Sequence, residues 1–394
     1  MKKKKNDFQK TQITIKDVAN QAQVSLSTVS RALRDPQSVP EATLLKVRAA
    51  TKALGYVYNA MAGSLSSRRT STIGVLIPSP VYAAFGMNLM AIQDVCSDRN
   101  FSCRVAAHQF SPVQERQMLK RFHEQRVEGL IIAGLDASNI PALKEIEASG
   151  IPYLTLWETL DKKSNYIAID NFKASYNMIA YLIALGHERI GLLLGPLRCA
   201  HRNQERLRGY RQALSDHGIA YDTSLACSTL PSFMYGCESM RSLLRLENVP
   251  TAVMCDSDYL AIGAMRAVHE AGLLIPEDIS VCGFDDIEIA SYVIPPITTI
   301  KTPCYEMGRL AATHMLDALQ AGTSLNVHYV LDTELVVRDS CARSSRRNET
   351  VRPAGGDSSS PAGEGVQDAA ETLSEAAESA SQEENDVGSD ALQT

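Results

Sequence analysis

The chain has 394 residues, 45% of them hydrophobic and 21% charged, enough for two or three globular domains with a sizeable core. Its net charge of −6 hides a gradient: residues 1–70 carry 13 Lys/Arg against four acidic residues, and residues 341–394 carry four Arg against 11 Asp/Glu. A basic head on an acidic body and tail points to a polyanionic partner, while no apolar run approaches the ~18 residues of a membrane span. The segment Met1–Asp7 is basic with no apolar stretch behind it, so a secretory signal is not expected. The 9 Cys are odd in number and nowhere spaced C-x-x-C, which reads as reduced thiols in a cytoplasmic protein rather than a disulfide frame or zinc site. P-loop, H-E-x-x-H and G-x-S-x-G patterns are absent, so neither enzymatic activity nor a cofactor is expected.

Residues 1–12 form a basic arm. Behind it the spacing predicts three short amphipathic helices within 13–58. The first runs from about Thr14 to Ala22, with Thr14 and Asp17 in capping-box spacing and Val18, Ala19 and Ala22 on its apolar side. A break at Gln23-Val24 leads into Leu26–Leu33, with Ser25 as the N-cap. The third helix is expected to open at Ser38-Val-Pro-Glu41, again as a capping box, and to bury Leu44, Val47 and Leu54 before Gly55 ends it. Two short helices joined by a tight turn, with a third closing the core, make a helix-turn-helix. The second helix has little to bury beyond Val29 and Leu33. Its other positions, Leu26, Ser27, Thr28, Ser30 and Arg31, suit hydroxyl contacts to phosphates and bases and an arginine donating to guanine. The bland alternative is a small solvated three-helix domain.

From Ser71 the texture changes to continuous apolar runs separated by helices of 10–20 residues. Strands are expected at Thr72–Ile77, Arg104–Ala107, Gly129–Ile132, Tyr153–Leu156, Ile190–Leu194, Ala252–Met254 and Ile279–Cys282, with a helix at about Phe172–Leu185. Such runs mean parallel sheets covered on both faces, and their number asks for two doubly wound lobes with a ligand site in the crevice at the strands' carboxyl ends. His187 follows a helix end and reads as a cap rather than a catalyst. Residues 343–394 lose their hydrophobes and are expected to be a disordered acidic tail.

The strings Ile15-Lys-Asp-Val-Ala19, Val24-Ser25, Thr28-Val-Ser-Arg31 and Leu54-Gly-Tyr56 resemble the headpiece of the lactose/galactose-repressor (LacI/GalR) family. Asn59-Ala-Met-Ala-Gly-Ser-Leu65 is similar to that family's hinge helix, expected within 59–70. The body, 71–342, resembles its two-lobed, periplasmic-binding-protein-like effector domain through Asp170-Asn171, Leu185–Ile190, Glu205–Tyr210, Ile275–Val281, Gly283–Asp286 and Pro295–Thr299. The resemblance implies an α/β fold with an N-terminal three-helix headpiece and parallel sheets in the body. Lobe one is then about 71–170 with a return near 303–330, and lobe two about 171–300 with the last strand.

It further implies DNA contacts from Thr14, Ser25, Leu26, Ser27, Thr28, Ser30, Arg31 and Asn59, with Leu65 wedged into a base step from the minor groove. Gln23 departs from the family's usual glycine in the turn; if φ is positive there, the strain is roughly 1 kcal/mol. In the body, Arg206 and Asp285 match the family's effector-clamping pair, or else form a surface salt bridge or cap. Phe233 matches an aromatic that stacks on the ligand, and Ser257 stands where asparagine is frequent. Phe85 and Trp157 are expected to face the crevice from lobe one, although Trp157 also reads as a core residue. Arg202, four residues before Arg206, suggests a sugar acid or sugar phosphate as effector, unless Glu205 or another acidic neighbour neutralises it. The implied partners are double-stranded operator DNA, a small sugar or sugar-acid effector and a second copy of the chain, acting in the cytoplasm on the nucleoid. Two rival readings remain: a regulator of the same fold under a protein co-repressor, and a sugar-binding transport component.

Overall fold

A computed structural model describes residues 13–57, 70–159, 163–197 and 201–344. Helices α1 (Ile15–Ala22), α2 (Leu26–Arg34) and α3 (Glu41–Leu54) form a small unit. Its core is Val18, Ala19, Ala22, Val29, Ala32, Val47 and Ala50, with Leu33, Leu44 and Leu54 packed at the edge. The Asp17 carboxylate accepts both the Thr14 backbone N–H at 2.7 Å and the Thr14 hydroxyl at 2.8 Å, fixing the start of α1. Gln23 takes φ 55° and ψ 43°, so the turn does require the left-handed region that glycine occupies without strain. α3 departs from expectation. It starts at Glu41 behind Pro40 with no side-chain cap, because the Ser38 hydroxyl is held by the Asp35 carbonyl at 2.6 Å.

The body alternates strand and helix. β1 (Thr72–Ile77), β2 (Ser102–Ala107), β3 (Gly129–Ala133), β4 (Tyr153–Trp157) and β5 (Tyr166–Ile169) are joined by a late strand, β11 (His328–Leu331). They make a parallel six-stranded sheet in the order β2-β1-β3-β4-β5-β11. The second sheet comprises β6 (Ile190–Leu194), β7 (Ala226–Ser228), β8 (Ala252–Cys255), β9 (Ser280–Asp285), β10 (Thr298–Lys301) and β12 (Glu334–Val336). Its order is β7-β6-β8-β9-β10-β12, parallel except for β12, which runs against β10. The interior strands are fully buried runs such as Gly-Leu-Ile-Ile-Ala in β3 and Ile-Gly-Leu-Leu-Leu in β6, as strands covered on both faces must be.

Helices complete the layers: α4 (Ala83–Asp98), α5 (Pro112–Glu124) and α6 (Ile140–Ala148) in lobe one; α7 (Asn171–Ala184), α8 (His201–Asp216), α9 (Phe233–Leu244) and α10 (Asp258–Glu270) in lobe two. The late helix α11 (Cys304–Ala321) returns to lobe one, where it packs on α4 and over β3, β4 and β5. The chain therefore passes between lobes three times, after β5, after β10 and between β11 and β12. In each sheet the strand order reverses at one interior strand, β1 and β6, which opens a crevice at the carboxyl ends.

Candidate functional site

In the three-helix unit the polar face of α2 is presented outward. Ser25, Leu26, Ser27 and Arg31 are exposed, Thr28 and Ser30 half-buried, while Val29 and Ala32 face the core. The Ser25 hydroxyl accepts the Thr28 N–H at 3.1 Å and lies 2.8 Å from the Ser27 hydroxyl and 2.7 Å from that of Thr28. Among the described residues the Arg31 guanidinium makes only a long 3.5 Å contact, to the Ser27 carbonyl, and the residue is exposed. A helix start carrying three hydroxyls and followed by an exposed arginine and leucine can enter a major groove, with the hydroxyls serving phosphates. Thr14 is exposed at the start of α1. Asn59 and Leu65, with the hinge, the basic arm and the acidic tail, lie outside the described residues.

The second site is a cavity of about 780 Å³, counting its open mouth, walled by the loops that leave the carboxyl ends of β1, β2, β3, β4, β6, β8 and β9. Phe85 and Trp157 form its apolar side on lobe one, ring centroids 5.6 Å apart and edge to face. Trp157 donates its indole N–H to Asn88 Oδ1 at 2.8 Å, so it is both a core residue and a wall of the crevice. Tyr82 and Phe110 of lobe one and Tyr259 at the start of α10 add a second aromatic side. Tyr259 also spans the lobes: its hydroxyl donates to the Val81 carbonyl at 2.9 Å and accepts the Ala83 N–H at 3.2 Å.

Arg206 is buried in the cavity wall. Its Nε donates to Asn171 Oδ1 at 2.9 Å, Nη1 donates to the Asp256 carbonyl at 2.6 Å, and the guanidinium lies 3.5 Å from the centre of the Phe284 ring. Asn171 in turn donates to the Trp157 carbonyl at 3.1 Å, tying the arginine to lobe one. Asp285 lies in the same wall with φ 101°, a conformation rarely adopted by a residue with a side chain. Burial pushes its carboxyl up to about 6, against the pull of Arg206. Ser257 lines the cavity, but its hydroxyl is engaged as N-cap of α10, accepting the Leu260 N–H at 3.4 Å.

One sequence expectation is corrected, and one that was left open takes its second form. Phe233 does not reach the cavity wall. It opens α9 half-exposed, its ring 5.0 Å from that of Tyr259, so Tyr259 supplies the aromatic face instead. Behind it α9 and α10 pack backbone to backbone: a Cβ on Gly263 would stand 2.1 Å from the Phe233 carbonyl. Arg202 lines the cavity and, as in the second of the two readings, is neutralised by an acidic neighbour. Its Nη1 donates to Glu158 Oε1 at 2.7 Å in a buried ion pair across the lobes, and Glu158 Oε2 accepts the His201 N–H at 3.0 Å. Glu205 pairs with Arg208 instead. His187 is structural: its ring bonds Thr251 Oγ1 at 2.9 Å and the Ala342 carbonyl at 3.0 Å.

The sequence reading missed Tyr82, His108, Phe110, Glu115, Asp256 and Tyr259, all in the wall. Each sits just beyond a strand or early in the following helix, a position that doubly wound sheets direct at the crevice, and that was the available signal. Burial pushes His108 down to about 4 and Glu115 up to about 7, so the imidazole is neutral near pH 7. Among the described residues no group of His, Cys, Asp and Glu is arranged to hold a metal ion.

Residues 14–59 match the family described as bacterial regulatory proteins, lacI family, and residues 179–341 match the periplasmic binding protein-like domain. The HTH-type transcriptional repressor CytR of Escherichia coli K12 is 33% identical over 345 residues, 86% of this chain and 98% of that protein. The ribose operon repressor of Haemophilus influenzae is 32% identical over 328 residues, 83% and 98% of the two chains. Among solved structures, the lac repressor dimer bound to operator and the anti-inducer ONPF superposes with a TM-score of 0.75 at 31% identity, covering 84% of this chain and 99% of that one. The transcriptional regulator CelR–cellobiose complex gives a TM-score of 0.62 at 30% identity, covering 83% and 99%.

Proposed function

Because the chain belongs to the lacI family of DNA-binding transcriptional regulators, we propose that it is a non-enzymatic repressor that binds a pseudo-palindromic operator as a homodimer and changes its affinity when a small polyhydroxy effector enters the inter-lobe cavity. On this reading residues 13–58 read DNA, 59–70 form the hinge with Leu65 as wedge, 71–342 sense the effector and pair the subunits, and the protein acts on the nucleoid in the cytoplasm. The observation that carries the proposal is the cavity's construction: a buried, forked guanidinium at Arg206 and facing aromatic walls, built from both lobes of a chain that also carries the exposed α2 face. Polar groups that fix orientation between apolar walls are what a hydroxylated ring requires.

The acidic effector loses its main premise once Arg202 is paired with Glu158, and we favour an uncharged one. A protein co-repressor needs no such cavity, and a transport component needs no α2 face. The test is selection of operator from random duplexes by the purified full-length protein, followed by sedimentation of the complex. Two chains per duplex, with Arg31→Ala weakening binding and exchanges at Leu26 and Ser27 altering the selected sequence, support the proposal. One chain per duplex, or an unchanged sequence, overturns it.

A further inference from the structure

Two groups in the cavity wall are more than nine-tenths buried and yet hold polar atoms with no close hydrogen-bond partner among the described residues: the ring of His108, whose one backbone acceptor is the Ala133 carbonyl, and Oδ1 of Asp256. They belong to different lobes. His108 follows β2 and is held by its backbone, whose N–H donates to the Ile77 carbonyl at 3.1 Å. Asp256 follows β8; its Oδ2 accepts the Gly195 N–H at 2.6 Å, which leaves Oδ1 as the unpaired oxygen. The nearest charged neighbour of His108, Glu115 Oε2, stands 3.7 Å from Nδ1, beyond hydrogen-bond length. Glu115 is itself occupied, accepting the Asp136 N–H at 3.2 Å and the Asn139 amide at 2.8 Å. Buried polar atoms are normally satisfied, so unpaired ones in a ligand-sized cavity mark where a ligand's own polar atoms belong.

Their chemistry restricts that ligand. Burial pushes the Asp256 carboxyl up while Arg206 and the Gly195 N–H pull it down; as a carboxylate its Oδ1 only accepts, so whatever meets it is an O–H or N–H donor. A neutral imidazole donates through one nitrogen and accepts through the other; with the Ala133 carbonyl as acceptor for the donating side, the other nitrogen accepts an O–H or N–H from the ligand. Charge restricts it further. Arg202 is paired with Glu158, and Arg206 faces the fields of Asp285 and Asp256, while Glu115 and Asp136 also line the wall. Among the described wall residues the carboxylates Glu115, Asp136, Asp256 and Asp285 outnumber the arginines Arg202 and Arg206, which disfavours an anionic ligand.

We propose that His108 and Asp256 form a two-ended specificity site for an uncharged, donor-rich ring, which gives an O–H or N–H to Asp256 Oδ1 from its lobe-two end and an O–H or N–H to the accepting nitrogen of His108 at its lobe-one end. The ring's faces lie against Phe85, Trp157, Tyr82 and Tyr259, and one ligand then ties the two lobes together. This deepens the effector reading above and rests on it.

The test is calorimetry of the full-length protein with uncharged pentoses, hexoses, disaccharides and nucleosides, alongside the matching sugar acids and sugar phosphates. We expect at least one uncharged compound to bind more tightly than its anionic counterpart. His108→Leu and Asp256→Asn should each weaken that compound at least tenfold, and His108→Gln, which keeps a donor and an acceptor, should recover part of the loss. Circular dichroism checks that each variant is folded. An acid or phosphate that outbinds its uncharged parent, wild-type affinity in both His108→Leu and Asp256→Asn, or no uncharged binder in the panel would overturn the assignment. Arg206→Lys separates the two levels. Undiminished binding in that variant overturns the cavity reading itself, whereas lost binding there with His108 and Asp256 indifferent overturns only the two-ended site.

Discussion

Replacing Arg202 with methionine removes one half of a buried ion pair while keeping most of the side chain's apolar length. Glu158 is 2% and Arg202 11% exposed in their side chains, and their closest atoms are 2.7 Å apart. Breaking such a pair from one side typically costs about 3–5 kcal/mol, because the remaining charge stays buried. Here Glu158 keeps the His201 N–H at 3.0 Å, so the lower end, about 3 kcal/mol at pH 8, is expected for Arg202→Met. The double variant Arg202→Met/Glu158→Gln should recover most of that loss, since neither charge is then left alone.

The cost should also depend on pH. Burial already pushes the Glu158 carboxyl up against the opposing pull of Arg202; without the arginine it rises further above its unfolded value. A carboxyl raised in the folded state contributes its full stability below the unfolded pKa and loses it as pH climbs through the folded one. Arg202→Met should therefore approach wild-type stability near pH 5 and fall behind toward pH 8. Urea unfolding of wild type and both variants at the two pH values measures this. A deficit under about 1 kcal/mol at pH 8, or an equal deficit at both, would refute the buried-pair account.

Gln23→Gly should stabilise the three-helix unit by about 0.5–1 kcal/mol by relieving the left-handed backbone, seen as a higher melting temperature for that unit; no gain would mean the turn is not strained. Gly263→Ala should cost about 2–3 kcal/mol in thermal unfolding, because the new Cβ meets the Phe233 carbonyl and α9 must move from α10; neutrality would show that this packing is loose. Arg31→Ala should weaken operator binding by about 1–3 kcal/mol in fluorescence anisotropy, more on operator than on random DNA if it reads a base, and equally on both if it only meets phosphate. Leu65→Ala should likewise weaken operator binding by about 1–3 kcal/mol while sparing random DNA; equal losses on both would remove the wedge assignment.

The strongly buried strands were legible because their burial is written as unbroken apolar runs, as in β1, β3 and β6. The strands that no pattern marked are β5, β7, β10, β11 and β12, the last of them implied by the family resemblance alone. Of these, β7 and β12 have only three residues each, and β11 is largely exposed, so neither length nor pattern marks them. In the cavity, the Arg206 position could be matched by its surrounding string. What surrounds it could not: Glu158 meets Arg202 across 44 residues of sequence, and Asp256 lies 61 from its partner Gly195. Such pairings are set by where two sheets place their loop ends, and no local periodicity encodes that. Phe233 shows the converse, since a position matched by its string packs on Tyr259 outside the wall, which only the packing reveals.

The threefold passage of the chain between sheets bears on how the protein is made. During synthesis the first 170 residues can lay down β1–β5, but the helix that covers the sheet and seats Met315 against Gly129 is α11, encoded more than 130 residues later. The second sheet waits longer still for β12, whose pairing with β10 comes only at 334–336. Both halves are thus completed within the same short stretch near the end of the body, and until it leaves the ribosome a nascent chain carries an incompletely covered apolar face on the first sheet and an unpaired edge at β10 on the second. Pairings between residues far apart in sequence form slowly, and exposed sheet faces invite aggregation during the wait. Yield of this protein in cells should accordingly depend on chaperones that hold the unfinished chain, and a chain cut before α11 should be lost to degradation rather than accumulate as a separate lobe.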